Sequence, residues 1–506
     1  MSLPLLFVAE LSGKSIVIIG AGLGGLSAAI RLAVRGARVT VLEKNASLGG
    51  KVNIHRAGGY SFDTGASLLT MRHVLEDLFA SAGRRLEDYL ELQSLDPICR
   101  YRWPDGTSFD ASADLEKTES EIRRIASAAD VDGFRHFLAD ARRKFAVAER
   151  TFLAHSLNEL PKLLRPRYAR DLAALSSFRT LDAHVRRYFQ SPYLQQLFDR
   201  FATYNGSSPY RAPATFALLP YVEFGLGAWY VRGGMYALPS ALARLAGELS
   251  VEIRTETEVE KIIIEEGRAC GVRLKDGEML RANAVLANSD AIETYRHLIE
   301  PRARRVDIAR KLARVEPSCS GFVLLLGARR RYPQMAHHNI FFSANYPAEF
   351  HSIFNELRPT AAPTIYVCAT SRTDETQAPA GHENLFVLVN APATSEQTNW
   401  EQEKHAYRDL IIDKLEAYGL EQLRASIDYE HIITPEDFRQ TYHAHRGALY
   451  GASSNSLFSA FLRPPNKARD IDGLYFAGGT THPGGGIPLV LLSGKMAAEL
   501  MVRDEE

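Results

Sequence analysis

The chain of 506 residues has only four cysteines, and no two of them stand in a CxxC spacing. That excludes a disulfide scaffold and a cysteine-built zinc ribbon, and it suits a reducing compartment. No run of 18 or more apolar residues occurs, so no segment reads as a membrane-spanning helix. Met1 to Ser12 lacks a basic start and a small-residue cleavage site, which argues against a secretory leader. A cytoplasmic protein is the expectation. Neither sign of charge is in excess: Lys+Arg and Asp+Glu both number 60. No overall field draws nucleic acid, and no nucleic-acid partner is expected. With 46% hydrophobic and 24% charged residues the composition is that of a globular protein, and the length calls for two or three domains.

Glycine is concentrated in two places. Ser15–Ile19 is a β-branched run, the pattern of a buried parallel strand. It enters Gly20-Ala-Gly22-Leu-Gly-Gly25 and a helical stretch with Leu26, Ile30 and Ala33 on one face, which Gly36 stops. A second strand, Ala37 to Leu42, ends at Glu43. Gly20 permits a tight turn, Gly22 lets backbone approach a pyrophosphate, and Gly25 lets the helix pack on the strand. The helix start offers unpaired N–H groups and partial positive charge to phosphates. Glu43, 18 residues past Gly25, is placed to accept hydrogen bonds from ribose hydroxyls. Together these parts specify a dinucleotide site, with FAD and NAD both open.

The continuation decides between them. Glu43-Lys44, Leu48-Gly49-Gly50-Lys51 and Phe62-Asp-Thr-Gly65-Ala66 resemble the amine-oxidase and phytoene-desaturase superfamily of flavoproteins, in which these segments line FAD. Lys51 stands where the family usually has Arg; the charge is kept and the bidentate fork is lost. Near the other end, the strand Gly473 to Phe476 enters Ala477-Gly478-Gly479-Thr480-Thr481-His482-Pro483-Gly484-Gly485-Gly486-Ile487-Pro488, and a helix runs from about Leu489 to Met501. Such bare backbone suits a flat cofactor pressed against it. The helix start brings partial positive charge to a ring that gains negative charge on reduction. This arrangement resembles the signature of bacterial-type phytoene desaturases, the carotenoid desaturase family, with Thr480 and Gly485 departing from its usual small residues. Leu95 to Gly106, His337 to Ser343 and Phe386 to Pro392 look like the hydroxycarotenoid 3,4-desaturase branch.

The resemblance implies an α/β fold: a Rossmann-like FAD-binding domain of the amine-oxidase/glutathione-reductase type, interleaved with an α+β substrate domain and a helical, membrane-facing region. Residues 1–85, 231–298 and 432–506 would form the FAD domain. Residues 86–230 and 299–431 would form the substrate domain, its helical region at about 111–200. FAD contacts would fall on Gly20, Gly22, Gly25, Glu43, Lys44, Gly49, Gly50, Lys51 and Gly65, on the backbone of Val259, and on Gly478, Gly479, Gly486, Ile487 and Pro488.

By pattern alone, Leu86 to Tyr230 is mostly helical. Residues 135–200 carry 13 Lys/Arg against 6 Asp/Glu, interleaved with Phe152, Leu153, Leu157, Leu160, Leu163 and Leu164. This is either a basic amphipathic surface for an anionic inner membrane or a solvated helical face packed on the core. His337 and His338 are adjacent and would point to opposite sides of a strand. His443 and His445 would share one strand face without a third ligand, so no metal is expected.

The activity implied is FAD-dependent desaturation of an apolar carotenoid. It needs a hydride acceptor, a weak proton acceptor and a dry tunnel. Glu223, the single carboxylate between Phe216 and Tyr230, is the candidate proton acceptor, its pKa raised by burial. The plainer reading makes it a paired carboxylate that shapes the pocket. Alternatives within the family are a multi-step phytoene or diapophytoene desaturase, or a carotenoid oxidase, saturase or isomerase. A flavin amine oxidase would want an aromatic cage, which the sequence does not identify. A non-catalytic lipid-binding escort protein is opposed by the intact glycine loops. Oligomeric state is not legible.

Overall fold

A computed structural model describes residues 10–159, 175, 178–305, 308, 310–311, 314–456 and 463–505. Its first layer is a five-stranded parallel sheet in the order Leu474–Phe476, Ala284–Ala287, Ser15–Ile19, Arg38–Leu42, Glu252–Arg254. Strands from both ends and the middle of the chain thus lie side by side. Ile16 pairs with Val39 on one side and Ala284 on the other. With both faces covered, Val17 and Ile18 are buried, which is why the strand reads as a continuous apolar run. The helix Leu23–Val34 packs on this sheet and against the helix Ile487–Glu505. A β-carbon on Gly494 would lie 2.3 Å from the Gly24 carbonyl oxygen, and Ser27 Oγ donates to the Leu491 carbonyl at 2.9 Å. Small residues at the crossing bring these two helices together. A three-stranded antiparallel meander (Val259–Glu265, Arg268–Leu274, Met279–Arg281) covers the other face.

The second layer is a seven-stranded mixed sheet ordered Ile427–Ile433, Ser320–Ala328, Glu383–Ala391, Ile365–Cys368, His338–Phe341, Cys99–Arg102, Ser108–Ala111. Every residue of Ser320–Ala328 is buried. One face of that strand packs Phe322 on Trp400 and Tyr407 of the helix Trp400–Ala417, with ring centroids 5.2 and 5.1 Å apart. The other turns Val323 and Leu325 toward Phe386 and Phe438.

Two expectations are corrected here. The stretch after Leu86 opens with strands, Leu92–Ser94, Cys99–Arg102 and Ser108–Ala111, rather than helix. Cys99 and Tyr101 are buried in alternation with Arg100 and Arg102, and an Asp105-Gly106 turn closes the hairpin, a period-2 signal. Helix begins at Leu115, where the Asp114 side chain accepts from the backbone N–H groups of Glu116 and Lys117. The His443 region is not a strand either. Thr434 and Asp437 form a capping box around Pro435, so Pro435–Tyr442 is helical and His443 is its left-handed cap, φ 47°.

In the basic stretch, Leu157 is buried and Phe152 and Leu153 line an interior cavity. Leu160, Leu163 and Leu164 lie outside the described residues. No described helix is long and apolar enough to cross a membrane.

Candidate active site

The two glycine-rich loops meet. The Gly20 N–H donates to the Leu42 carbonyl at 2.7 Å with φ at +94°, so the chain turns sharply from strand into helix. A β-carbon on Gly25 would sit 2.3 Å from the Gly20 carbonyl oxygen, and one on Gly24 would sit 3.0 Å from the Gly478 Cα. Asn288, just past the strand Ala284–Ala287, is wedged between the loops. Its Nδ2 donates to the Gly20 carbonyl at 3.2 Å, and β-carbons on Gly22 or Gly478 would approach its side chain to 2.8 and 2.7 Å. The third glycine segment joins them: the Gly49 N–H donates to the Ala21 carbonyl at 2.9 Å. A β-carbon on Gly65 would fall 1.6 Å from the Lys51 carbonyl oxygen.

Of the residues selected from sequence for FAD contact, Gly20, Gly22, Glu43, Lys44, Gly49, Gly50, Lys51, Gly65, Val259, Gly478, Gly479, Gly486, Ile487 and Pro488 all line one cavity of about 1250 Å³. Gly25 lies behind the wall, in the helix–strand contact. Glu43 is buried; one oxygen accepts from the Ala21 N–H at 2.9 Å and the other from the Asn45 N–H at 3.0 Å. The carboxylate thereby fixes the first loop. Lys51 donates to the Ala448 and Leu449 carbonyls at 3.3 and 2.6 Å. Burial lowers its pKa to about 8 against the opposing pull of Asp290. Lys44 donates to the Gln440 carbonyl at 3.0 Å and is likewise lowered by burial.

Sequence reasoning missed Arg463 and Asn288. Buried Arg463 reaches under the second loop, donating to the Tyr450 and Gly479 carbonyls at 2.8 and 3.0 Å and to Asn205 Oδ1 at 2.7 Å. The Ala452 carbonyl accepts at 3.3 Å as well, all four acceptors are neutral, and burial lowers the Arg463 pKa to about 10. Two cations, half-buried Lys51 and buried Arg463, therefore stand at the meeting point of the loops, close enough for Arg463 to lower the proton affinity of Lys51. Loops packed so tightly that only glycine fits them, with Lys51 and Arg463 beside the cleft they line, fit a dinucleotide whose ring becomes anionic on reduction.

The same cavity continues into the second layer, between Phe145, Phe216, Val222, Ile340, Phe386 and Leu388. Polar groups interrupt this apolar wall, among them a buried ion pair. Glu223, 2% exposed, accepts from Arg200 Nη2 at 3.1 and 3.0 Å and from the Tyr204 hydroxyl. Arg200 Nε donates to the Tyr101 hydroxyl at 2.9 Å. Burial raises the Glu223 pKa and the Arg200 charge opposes it. Candidate Glu223 is thus both on the cavity wall and ion-paired. Beside it, Tyr366 bridges Ser67 Oγ at 2.5 Å and His338 Nδ1 at 2.8 Å.

The expected divergence of His337 and His338 does not occur. Their ring centroids are 4.4 Å apart, edge to face. The strand starts at His338, so His337 precedes the pleat and strand alternation does not separate the two.

This glycine-lined cleft between two sheets is that of a flavoenzyme, and the chain belongs to the family of flavin-containing amine oxidoreductases, whose model matches residues 23–502. It is an FAD-dependent oxidoreductase, so the family resemblance, the fold class and the FAD cofactor expected from sequence are borne out. The chain is 39% identical over 495 residues to a 4,4'-diapolycopene oxygenase of Methylomonas sp., covering 97% of this chain and 98% of that protein. It is 38% identical over 490 residues to a 4,4'-diaponeurosporene oxygenase of Staphylococcus aureus, covering 96% and 97%. Among solved structures, cyclohexylamine oxidase from Brevibacterium oxydans is similar in fold, with TM-score 0.60 at 18% identity over 97% of this chain and 99% of that one.

Proposed function

We propose that the protein is a carotenoid-modifying flavoenzyme that oxidises the end of a long acyclic polyene, where water supplies the oxygen introduced and the bound flavin would take the two electrons removed. The observation that carries the reading is the single cavity, which runs from the glycine loops into a largely apolar chamber with the Arg200–Glu223 ion pair on its wall. The names of two relatives matched over nearly the whole chain at 38 and 39% identity support oxygenation. Desaturation, specifically of the hydroxycarotenoid 3,4 type, is the second reading. It is supported by the three segments Leu95 to Gly106, His337 to Ser343 and Phe386 to Pro392.

FAD supplies a two-electron, hydride-accepting centre in either reading. The protein's part is to hold and to exclude. The loops around Gly22, Gly65 and Gly478 grip the dinucleotide, and Glu43 and the backbone of Val259 serve its ribose and adenine side. Lys51 and Arg463 offset the negative charge that arises on reduction. The apolar wall aligns the polyene and confines water to the polar groups around Glu223. Glu223, with the Tyr204 hydroxyl as its relay, takes up the proton released as water adds to the oxidised carbon or, in the desaturase reading, the proton of the neighbouring carbon, and Arg200 holds the carboxylate in place. Residues 1–85, 231–298 and 432–506 form the FAD domain and the remainder the substrate domain. The substrate arrives from a membrane, on whose cytoplasmic face the protein docks peripherally; the basic excess of residues 135–200 and Phe178, 82% exposed, support that placement.

Expression in a bacterial host that makes acyclic carotenoids, followed by pigment chromatography and mass spectrometry, tests the reading. Products that have gained oxygen at the chain end support it. Products that have only lost hydrogen favour the desaturase, and unchanged pigments in cells holding the yellow protein contradict both.

A further inference from the structure

Three buried side chains have no part in the chemistry above. His337, His338 and Cys368 are 5, 2 and 2% exposed, and one potential ligand atom from each lies within 4.8 Å of the other two. The placement follows from the sheet. His338 and Cys368 are directly paired residues on adjacent antiparallel strands, and His337 enters just before its strand, held by the Ala369 N–H on its carbonyl.

Each imidazole is held by one nitrogen and idle at the other. His337 Nδ1 is 2.7 Å from Thr373 Oγ1, and His338 Nδ1 is 2.8 Å from the Tyr366 hydroxyl. Neither Nε2 has a hydrogen-bond partner among the described residues. A buried nitrogen without a partner is costly, and two side by side call for an explanation. With Nδ1–H donating to a hydroxyl oxygen, the Nε2 lone pair is free, the arrangement by which metal-binding histidines are oriented.

We propose that His337, His338 and Cys368 bind one soft transition-metal ion, zinc or copper(I), at the wall of the substrate cavity. Two imidazoles and a thiolate suit both ions. Metal–ligand lengths of about 2.0–2.3 Å put neighbouring ligand atoms roughly 3.3–3.8 Å apart around one ion, so small side-chain rotations close the site. Arg200, the cation felt by His338, is paired with Glu223; burial and Asp63 both favour the protonated Cys368 thiol, so the metal itself must displace that proton. On binding, the Cys368 Sγ–H proton leaves to solvent and the sulfur–metal bond forms, with no change of oxidation state. Of the three, His338 also lines the cavity. The site depends on neither the polyene nor the oxygenase reading.

The test uses the FAD-loaded protein, dialysed against zinc or copper(I) and then freed of loose metal. Elemental analysis is expected to find about one ion per chain, and its identity distinguishes the two metals. Cobalt(II) added to metal-stripped protein should give a thiolate charge-transfer band in the difference spectrum. Cys368→Ser should abolish that band, Cys270→Ser should retain it, and Thr373→Val, which leaves every ligand in place, should weaken cobalt affinity about 10- to 100-fold. Wild-type protein that takes up no ion and shows no band overturns the proposal. So does a band that survives Cys368→Ser, or a cobalt affinity unchanged in Thr373→Val.

Discussion

The two halves of the cavity are made of opposite materials. Around the dinucleotide the wall is backbone: Gly22, Gly24, Gly49, Gly65 and Gly478 present bare main chain, and neighbouring atoms already occupy the places their β-carbons would take. The chamber beyond is made of side chains carried on helices and on a sheet assembled from segments more than 200 residues apart. At those five positions the first half tolerates no added atom. The second tolerates exchange of one apolar side chain for another, provided the volume is kept. A cofactor site of invariable shape and a substrate site open to tuning thus coexist in one cavity.

Substitutions on the two sides should therefore fail differently. Gly25→Val is expected to have the largest effect. The new side chain meets the Gly20 carbonyl, 2.3 Å from where its β-carbon would lie, and the loop must move. FAD affinity should fall by about 100-fold or more, corresponding to roughly 2.7 kcal/mol, as read from flavin content after gel filtration. Yellow protein with normal FAD content would erase the contrast. Next is Glu223→Gln, which leaves Arg200 buried without its counter-charge. Unfolding free energy should drop by about 3 kcal/mol and turnover should fall strongly while FAD is retained. A stable variant with near-normal turnover would remove Glu223 from the mechanism.

Phe386→Ala enlarges the chamber without touching the glycine loops. KM for the polyene should rise about tenfold, roughly 1.4 kcal/mol, at unchanged FAD content. Lost FAD in that variant would show that the halves are not separable. The smallest effect belongs to Lys44→Met, whose ammonium is half-buried and bonded to one carbonyl. A change in FAD binding of about 0.5 kcal/mol is expected, measurable by flavin fluorescence titration.

The same contrast explains what was legible in the sequence. Gly20, Gly22, Gly25 and Gly478 each report a local backbone requirement, so spacing along the chain was enough to find them. Asn288 and Arg463 act on those same loops from distant segments, and their roles exist only once the fold brings 288 beside 22 and 463 beneath 479. Arg200 and Glu223 lie 23 residues apart, yet nothing short-range announces their pairing. The hairpin around Asp105-Gly106 was locally visible and was absorbed into a helical pattern that starts at Leu115. His337 and His338 were misjudged by one residue of strand boundary, which was enough to hide a buried cluster of possible ligands.

The central claim is that the polyene surrenders electrons directly to a flavin held where the two ends of the chain meet. Oxygen-free enzyme mixed with micellar acyclic carotenoid tests it most directly. The oxidised-flavin band near about 450 nm should bleach in proportion to carotenoid consumed, without any added reductant. A band that stays intact while the carotenoid is converted, or bleaching that requires a nicotinamide reductant, would contradict the account.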